Sequence, residues 1–290
     1  MEHHRLVAGA LFIISAELMF ACMGATIRYL SDDMNNGMLV FARNLVGLAL
    51  VTTLVSMPGR QDLRTKVPHL HLLRGSAGLG AMYCFFFAIA NMPLANAMLL
   101  KLTAPLFMPL VAFAWLDERF TWLVVLALGV GFAGVTLILL PDFASMAPVA
   151  GIALLGGVLA AVAKVTVRRL SATEPASRTV FYFAAIGTVV SLLPLTWLWQ
   201  TPGPDTWLWL LVLGGFATAG QFLLTQGMSC APAARLGPFT FFSVIFGALL
   251  GWVFWNEVLG WSTIVGTLLV LASAVLVGRR SQAARLPTAL

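Results

Sequence analysis

Apolar stretches of roughly 20 residues follow one another along the whole chain, separated by short polar, proline-rich or charged punctuation. Cutting at that punctuation predicts ten spans, at approximately 7–29, 36–57, 70–91, 94–115, 120–140, 148–170, 178–199, 206–229, 233–255 and 260–278. Each is long enough to cross a hydrocarbon core of ~30 Å. Helices are the expected form, because unpaired backbone in lipid costs several kcal/mol per group and the spans lack barrel-style alternation. The connections are short and leave no room for a soluble domain. The first span opens like a secretory signal, with Arg5, an apolar stretch and then small residues. Glu17 interrupts that stretch and the apolar pattern runs on to Tyr29, so it is read as an uncleaved span.

One stretch occurs twice. NMPLANAMLLKLTAPLFMPLVAFAWLDERFTW, from Asn91 to Trp122, returns in variant form 139 positions later as CAPAARLGPFTFFSVIFGALLGWVFWNEVLGW, from Cys230 to Trp261. Without a gap, Pro93 falls on Pro232, Ala95 on Ala234, Phe107 on Phe246, Leu110 on Leu249, Glu118 on Glu257 and Trp122 on Trp261. The halves expected are residues 1–141 and 142–290, with five spans each. Five is odd, so the second half enters the membrane upside down, and the Glu118 turn faces the cytoplasm while the Glu257 turn faces outward. Inverted repeats of this kind belong to secondary transporters, whose site lies near the midplane where the halves meet.

Composition narrows the class further. The chain of 290 residues is 60% hydrophobic and 10% charged, with mean hydropathy +0.94, whereas a soluble domain is roughly a quarter charged. A water-soluble fold is excluded. The net charge of +6 therefore reports loop orientation rather than nucleic acid. With the N-terminus inside, thirteen of the seventeen Lys and Arg lie in cytoplasmic loops or span ends, and the outer loops carry Asp32, Asp33, Asp142 and Asp205 instead. Both termini are expected in the cytoplasm and the membrane is expected to be a bacterial-type inner membrane. Cys22, Cys84 and Cys230, three in number and irregularly spaced, form no disulfide framework. Gly247 and Gly251 form a GxxxG, and Gly75, Gly78, Gly129, Gly131 and Gly134 likewise fit close helix packing.

Arg74-Gly75, Tyr83 through Ala90, MPLANA at 92–97, Pro105-Leu106-Phe107 and LDERFTW at 116–122 resemble the EamA repeat of the drug/metabolite transporter superfamily. Phe41-Ala42-Arg43 is similar to that family's arginine-bearing second helix, and LLGGVLAAVAKVTVRRL at 154–170 to the helix that opens its second repeat. The resemblance covers essentially the whole chain. It implies an all-α bundle of ten transmembrane helices that alternates access to a central cavity. Amino-acid exporters of the family fit in size and layout, and uptake carriers for adenosylmethionine-like metabolites share MPLA-type motifs. The chain departs from the triose-phosphate branch, because Thr240 and not a lysine stands opposite Lys101 in the repeat.

Five charged residues lie clearly away from the loops: Glu17, Arg28, Arg43, Lys101 and Lys164. A charge at mid-helix costs at least ~2.5–3.5 kcal/mol on insertion scales, so each needs a partner or water. Arg28 is near the outer end of its span and can snorkel. Lys164 lies in the inner third of its span, where it either reaches the cytoplasmic surface past Arg168 or lines the substrate site. Lys101 and Arg43 sit about 10 Å deep from the outer face at 1.5 Å per residue, and Glu17 near the middle of the first span. One reading is a buried ion pair, Glu17 with Arg43 or Lys101, that only fixes packing. The other is a substrate site, in which Lys101 or Arg43 meets an anionic group and Glu17 takes a substrate amine or a proton.

Asn44, Tyr83, Gln221, Thr225, Gln226 and Tyr182 lie at depths that allow them to line the same site. Tyr182 occupies the repeat position of Arg43, and Thr240 that of Lys101. Trp197, Trp199, Trp207 and Trp209 read as an interfacial belt. Pro93 and Pro232 stand at hairpin turns, and Pro105 and Pro109 interrupt the fourth span, so all four are candidate hinges. Glu118 and Glu257 follow their helices at the membrane surface, where capping and loop pairing are expected. No GxxxxGK[ST], HExxH or GxSxG occurs, and His3, His4, His69 and His71 all lie at cytoplasmic ends. No enzyme activity, cofactor or metal is expected. The partners expected are a small-molecule substrate and the lipid bilayer, with no nucleic acid, in a monomer or weak dimer. The function expected is export of amino acids, aromatic and apolar ones included, with uptake of a nucleoside-like or cationic metabolite as the alternative and a membrane-embedded enzyme as the reading from a different class.

Overall fold

A computed structural model describes residues 2–55, 63–101, 103–104, 107, 110–111, 122–139, 143–170, 173–230, 239–240, 242–258 and 260–283. Ten helices and no strand occur among them: α1 Glu2–Leu30, α2 Asn36–Val55, α3 Pro68–Asn91, α4 Leu94–Lys101, α5 Trp122–Leu139, α6 Phe143–Leu170, α7 Ala176–Leu198, α8 Pro204–Cys230, α9 Phe242–Trp255 and α10 Trp261–Ala283. Six are long and apolar enough to cross a membrane, namely α1, α2, α3, α6, α7 and α8. The protein is an all-helical membrane protein.

Helix ends follow the local chemistry. Pro68 opens α3, where its missing N–H costs nothing. α6 begins at Phe143, five residues before the predicted boundary, and carries Pro148 inside its first turns; that early in a helix the ring displaces few backbone bonds. Pro194 lies inside α7. Pro93 remains between α3 and α4, and its carbonyl accepts the Ala97 N–H at 3.1 Å as α4 starts. Pro105, Pro109, Pro232 and Glu118 lie outside the described residues.

The helices pair across the two halves of the chain. α1 packs on α8 and α9, α6 on α3 and α4, α2 on α7 and α8, α7 on α3, α5 on α10, and α4 on α9. Exchanging α1–α5 for α6–α10 maps every one of these pairs onto itself or onto another of them. Glycines let the pairs close. A Cβ on Gly220 of α8 would stand 2.7 Å from the Phe20 ring of α1, and one on Gly247 of α9 would stand 2.8 Å from Met98 Cγ of α4. Gly129 of α5 faces open space instead.

Contacts between loops define two ends of the bundle. At one, Asn35 donates its backbone N–H to Gln200 Oε1 at 2.8 Å and its side-chain amide to Leu198 O at 2.7 Å. Arg28, Met92, Leu94 and Glu257 meet at the same end. Trp197, Trp199, Trp207 and Trp209 stand exposed around it. Thr65, His71, Glu174 and Arg178 meet at the other end.

Candidate functional site

Lys101 closes α4 and Glu17 sits in the body of α1, and the two meet: Lys101 Nζ lies 3.3 Å from Glu17 Oε2. Glu17 is 4% exposed, so its carboxylate is held by this cation rather than by bulk water. Two rings complete the seat. Lys101 Nζ stands 4.7 Å from the Phe20 ring centre and 5.7 Å from that of Phe85, within range of cation–π attraction. Phe20 follows Glu17 by three positions, so both leave the same face of α1. Phe85 rather than Tyr83 faces the lysine, because two residues at 100° each turn the helix surface nearly to its far side. Tyr83 has its hydroxyl buried with no hydrogen-bond partner, and its backbone carbonyl accepts Asn36 Nδ2 at 3.0 Å.

Arg43 of α2 is 6% exposed and donates to Asn44 Oδ1 at 2.9 Å. Asn44 in turn donates to Val40 O at 2.8 Å, which fixes the amide. No carboxylate pairs with Arg43 among the described residues. Its guanidinium stands 5.4 Å from the Phe183 ring of α7, and Arg74 of α3 stands 4.1 Å from the same ring. Arg74, one of the thirteen cations expected at cytoplasmic loops or span ends, lies in the second turn of α3. Its guanidinium folds back over Gly78, one turn on, where any Cβ would collide with it, and its Nε is buried without a hydrogen-bond partner.

Lys164 sits in the last turns of α6. Its side chain is solvent-exposed, yet it lies within electrostatic reach of Lys101, Glu17 and Arg74. Arg74 is likewise within reach of Arg43. The four cations therefore form a connected series, with Glu17 beside Lys101 and Lys164. Arg43 and Lys101 enter from one end of the bundle and Arg74 and Lys164 from the other, each about 10 Å along its helix.

Other candidates go elsewhere. Tyr182 stacks on His71 at 4.4 Å and donates its hydroxyl to Leu63 O at 3.0 Å, so it belongs to the far end of the bundle and not to the Lys101 group. Gln221 is half-buried on α8 beside Gly220, Gln226 is exposed lower on the same helix, and Thr225 lies between them on the backbone of α8. Thr240 is half-buried, and its carbonyl accepts Ser243 Oγ at 2.9 Å. Arg28 does not snorkel freely. It reaches Glu257 at 3.3 Å, the carbonyls of Ile89 and Met92, and the face of Trp255.

The end opposite Glu257 carries a second linked group. Glu174, 7% exposed between α6 and α7, accepts Thr65 Oγ1 at 2.7 Å and Arg178 Nη1 at 2.5 Å, with His71 Nε2 3.8 Å away. Burial alone raises the Glu174 carboxyl, but the two hydrogen bonds and the Arg178 and His71 charges outweigh it and hold the carboxyl below its ordinary range. Residues 63–71 of the first half are thereby tied to 174–182 of the second.

A bundle of apolar helices with charged side chains enclosed between its two halves defines a membrane transporter. The chain belongs to the EamA-like transporter family, which matches it over residues 7–140 and again over 148–279. The pseudopaline exporter CntI of Pseudomonas aeruginosa is 34% identical over 94% of this chain and 97% of its own length. A riboflavin transporter of Vibrio cholerae is 30% identical over 90% of this chain and 88% of its own. An S-adenosylmethionine uptake transporter of Rickettsia bellii is 23% identical over 86% of each chain. A crystal structure sharing 18% identity superposes with TM-score 0.66 and covers 98% of this chain and 99% of that one, a likeness of fold. The protein is a transporter of the drug/metabolite type and not an enzyme.

Proposed function

We propose that the protein is an inner-membrane secondary transporter that exports an amino-acid-type metabolite by alternating access. The single observation that carries this reading is the enclosed Lys101–Glu17 pair at 3.3 Å, cupped by Phe20 and Phe85. An α-amino acid brings a carboxylate and an ammonium group to such a pair and satisfies both members, while a side chain packs on the rings. A merely structural pair fits less well, because Lys101 keeps 28% of its side chain exposed.

The halves proposed are residues 1–141 and 142–290, inverted about an axis in the membrane plane, with ten spans and both termini cytoplasmic. The two-fold exchange of helix pairs supports this arrangement, as does the duplicated family match. Export rather than uptake is favoured by the exporter that shares 34% identity over nearly the full length of both chains. The excess of cations in the site disfavours a cationic substrate.

The test is counterflow in proteoliposomes over a panel of amino acids, with and without a pH gradient. Flux of at least one amino acid that disappears in Lys101→Ala, with the variant monodisperse in detergent, is the expected result. Unchanged flux in Lys101→Ala at matched reconstitution rejects the site.

A further inference from the structure

Charge balance in the site goes beyond one amino-acid headgroup. Arg43 lies within electrostatic reach of Arg74, Arg74 of Lys164, and Lys164 of Lys101, and Glu17, which reaches Lys101 and Lys164, is the one carboxylate in this series among the described residues. A zwitterion is neutral and leaves the surplus of three positive charges as it was. Inside a membrane such a surplus is unfavourable unless something anionic meets it.

The groups that carry the surplus are free to receive it. Arg43 is 6% exposed and spends one donor on Asn44 Oδ1. Arg74 is half-buried, its Nε is buried without a hydrogen-bond partner, and its guanidinium lies against the Phe183 ring and Gly78. A guanidinium presents five donors in a planar fork that fits a carboxylate or phosphate edge. Lys164 is exposed although Lys101, Glu17 and Arg74 lie within electrostatic reach of it. The four cations come from α2, α3, α4 and α6, and Phe183 of α7 lies against both arginines.

We infer that the substrate carries two or more anionic groups besides its amine, one for the Lys101 side of the site and the others for the Arg43–Arg74 pair and Lys164. This deepens the proposed function and rests on it: the amine goes to Glu17, and the additional acidic groups neutralise the surplus. The preferred cargo is a poly-acidic amino-acid derivative and not an apolar amino acid.

A graded series tests it on the purified full-length protein in nanodiscs at fixed ionic strength. Glutamine, glutamate and γ-carboxyglutamate differ chiefly by one carboxylate at each step, and O-phosphoserine separates phosphate from carboxylate as the source of charge. The expected result is that affinity rises about tenfold or more at each carboxylate, and that γ-carboxyglutamate drives counterflow. Arg74→Gln then weakens γ-carboxyglutamate at least fivefold more than it weakens glutamine, and Arg74→Lys restores much of the preference. O-phosphoserine binding more tightly than glutamate, and as tightly as γ-carboxyglutamate, supports multiple charge with either chemistry. Equal affinities across the series, a preference for glutamine, or no measurable binding of γ-carboxyglutamate overturns the inference. If glutamine flux survives in those cases, amino-acid transport stands and only the poly-acidic substrate falls; if no amino acid is carried, both fall.

Discussion

The carboxylate of Glu257 accepts the backbone N–H of Leu94 at 2.9 Å, so a residue after α9 caps the first turn of α4 from the other half of the chain. The same carboxylate lies 3.3 Å from Arg28 of α1. Asn256 makes the approach possible by taking a left-handed turn at φ 53°, a conformation asparagine tolerates better than most residues. Gly251 supplies the room, since a Cβ there would stand 2.5 Å from Glu257 Oε2.

That contact predicts coupled stability. Arg28 and Glu257 are each partly exposed, at 24% and 15% of the side chain, so the ion pair by itself is worth little. The cap adds to it. Glu257→Ala is expected to cost about 1–2 kcal/mol from the lost cap and the cation left behind. Arg28→Ala and Glu257→Ala together are expected to be less than additive by about 0.5–2 kcal/mol. Thermal unfolding of the four proteins of the cycle in detergent measures this, and strict additivity would refute the contact.

The opposite end predicts a pH dependence. Glu174 is held below its ordinary range, with Thr65 and Arg178 as hydrogen-bond donors. A carboxyl lowered in the folded state contributes stability that is fully present above its unfolded value, near 4.5, and is lost as pH falls through the lower folded value. The tie between residues 63–71 and 174–182 therefore weakens as the medium is acidified below about pH 4.5. Glu174→Gln is expected to flatten that part of the stability profile while leaving the other acidic transitions in place. An unchanged slope in the variant would show that another group is responsible.

Much of this was legible beforehand, and the parts that were not share a cause. The apolar helices, and the pairing of Glu17 with one of Arg43 and Lys101, follow from hydropathy and from the rarity of charge inside apolar runs. The choice of Lys101 over Arg43 as the partner of Glu17 depends on which faces of α1, α2 and α4 turn together, and one-dimensional spacing leaves that open. Arg74 counts by position as a residue near a helix end, and distance to that end does not reveal that its long side chain runs along α3 over Gly78. Tyr182 was drawn to the site by its repeat equivalence to Arg43, and the structure sends it to His71 instead. Glu174 carried no signal in the sequence beyond being a loop carboxylate; its burial arises from the packing of two distant segments.

The room for Arg74 can be tested with glycines. A Cβ on Gly78 would overlap the Arg74 guanidinium and stand 2.8 Å from Phe183 Cε2, whereas a Cβ on Gly129 meets nothing within 4 Å. Both sit in helices, where alanine is favoured by about 0.5–1 kcal/mol over glycine. Gly129→Ala is expected to be neutral or stabilising by about that amount. Gly78→Ala is expected to lose about 1–3 kcal/mol through overpacking and to raise the KM for an acidic amino acid. Melting temperature and concentration-dependent flux give both answers. A Gly78→Ala protein with unaltered KM would remove Arg74 from the site.

The last prediction concerns Glu17. Its carboxylate has one close cation, Lys101 at 3.3 Å, and little contact with water. When the anionic group of a substrate takes over Lys101, Glu17 is left needing a positive partner, which either the substrate amine or a proton supplies. These two roles separate in one variant. If a proton is the partner during the empty return step, Glu17→Gln abolishes acceleration of export by an inward proton gradient, while exchange of labelled for unlabelled amino acid continues. If the amine is the partner, the same variant loses affinity for amino acids by about tenfold or more, as expected when a charge-assisted hydrogen bond worth about 1.5–3 kcal/mol is removed, and exchange falls with it. Glu17→Gln that keeps both the gradient effect and the affinity would reduce the pair to packing, and the poly-cationic group would then have to bind its substrate without it.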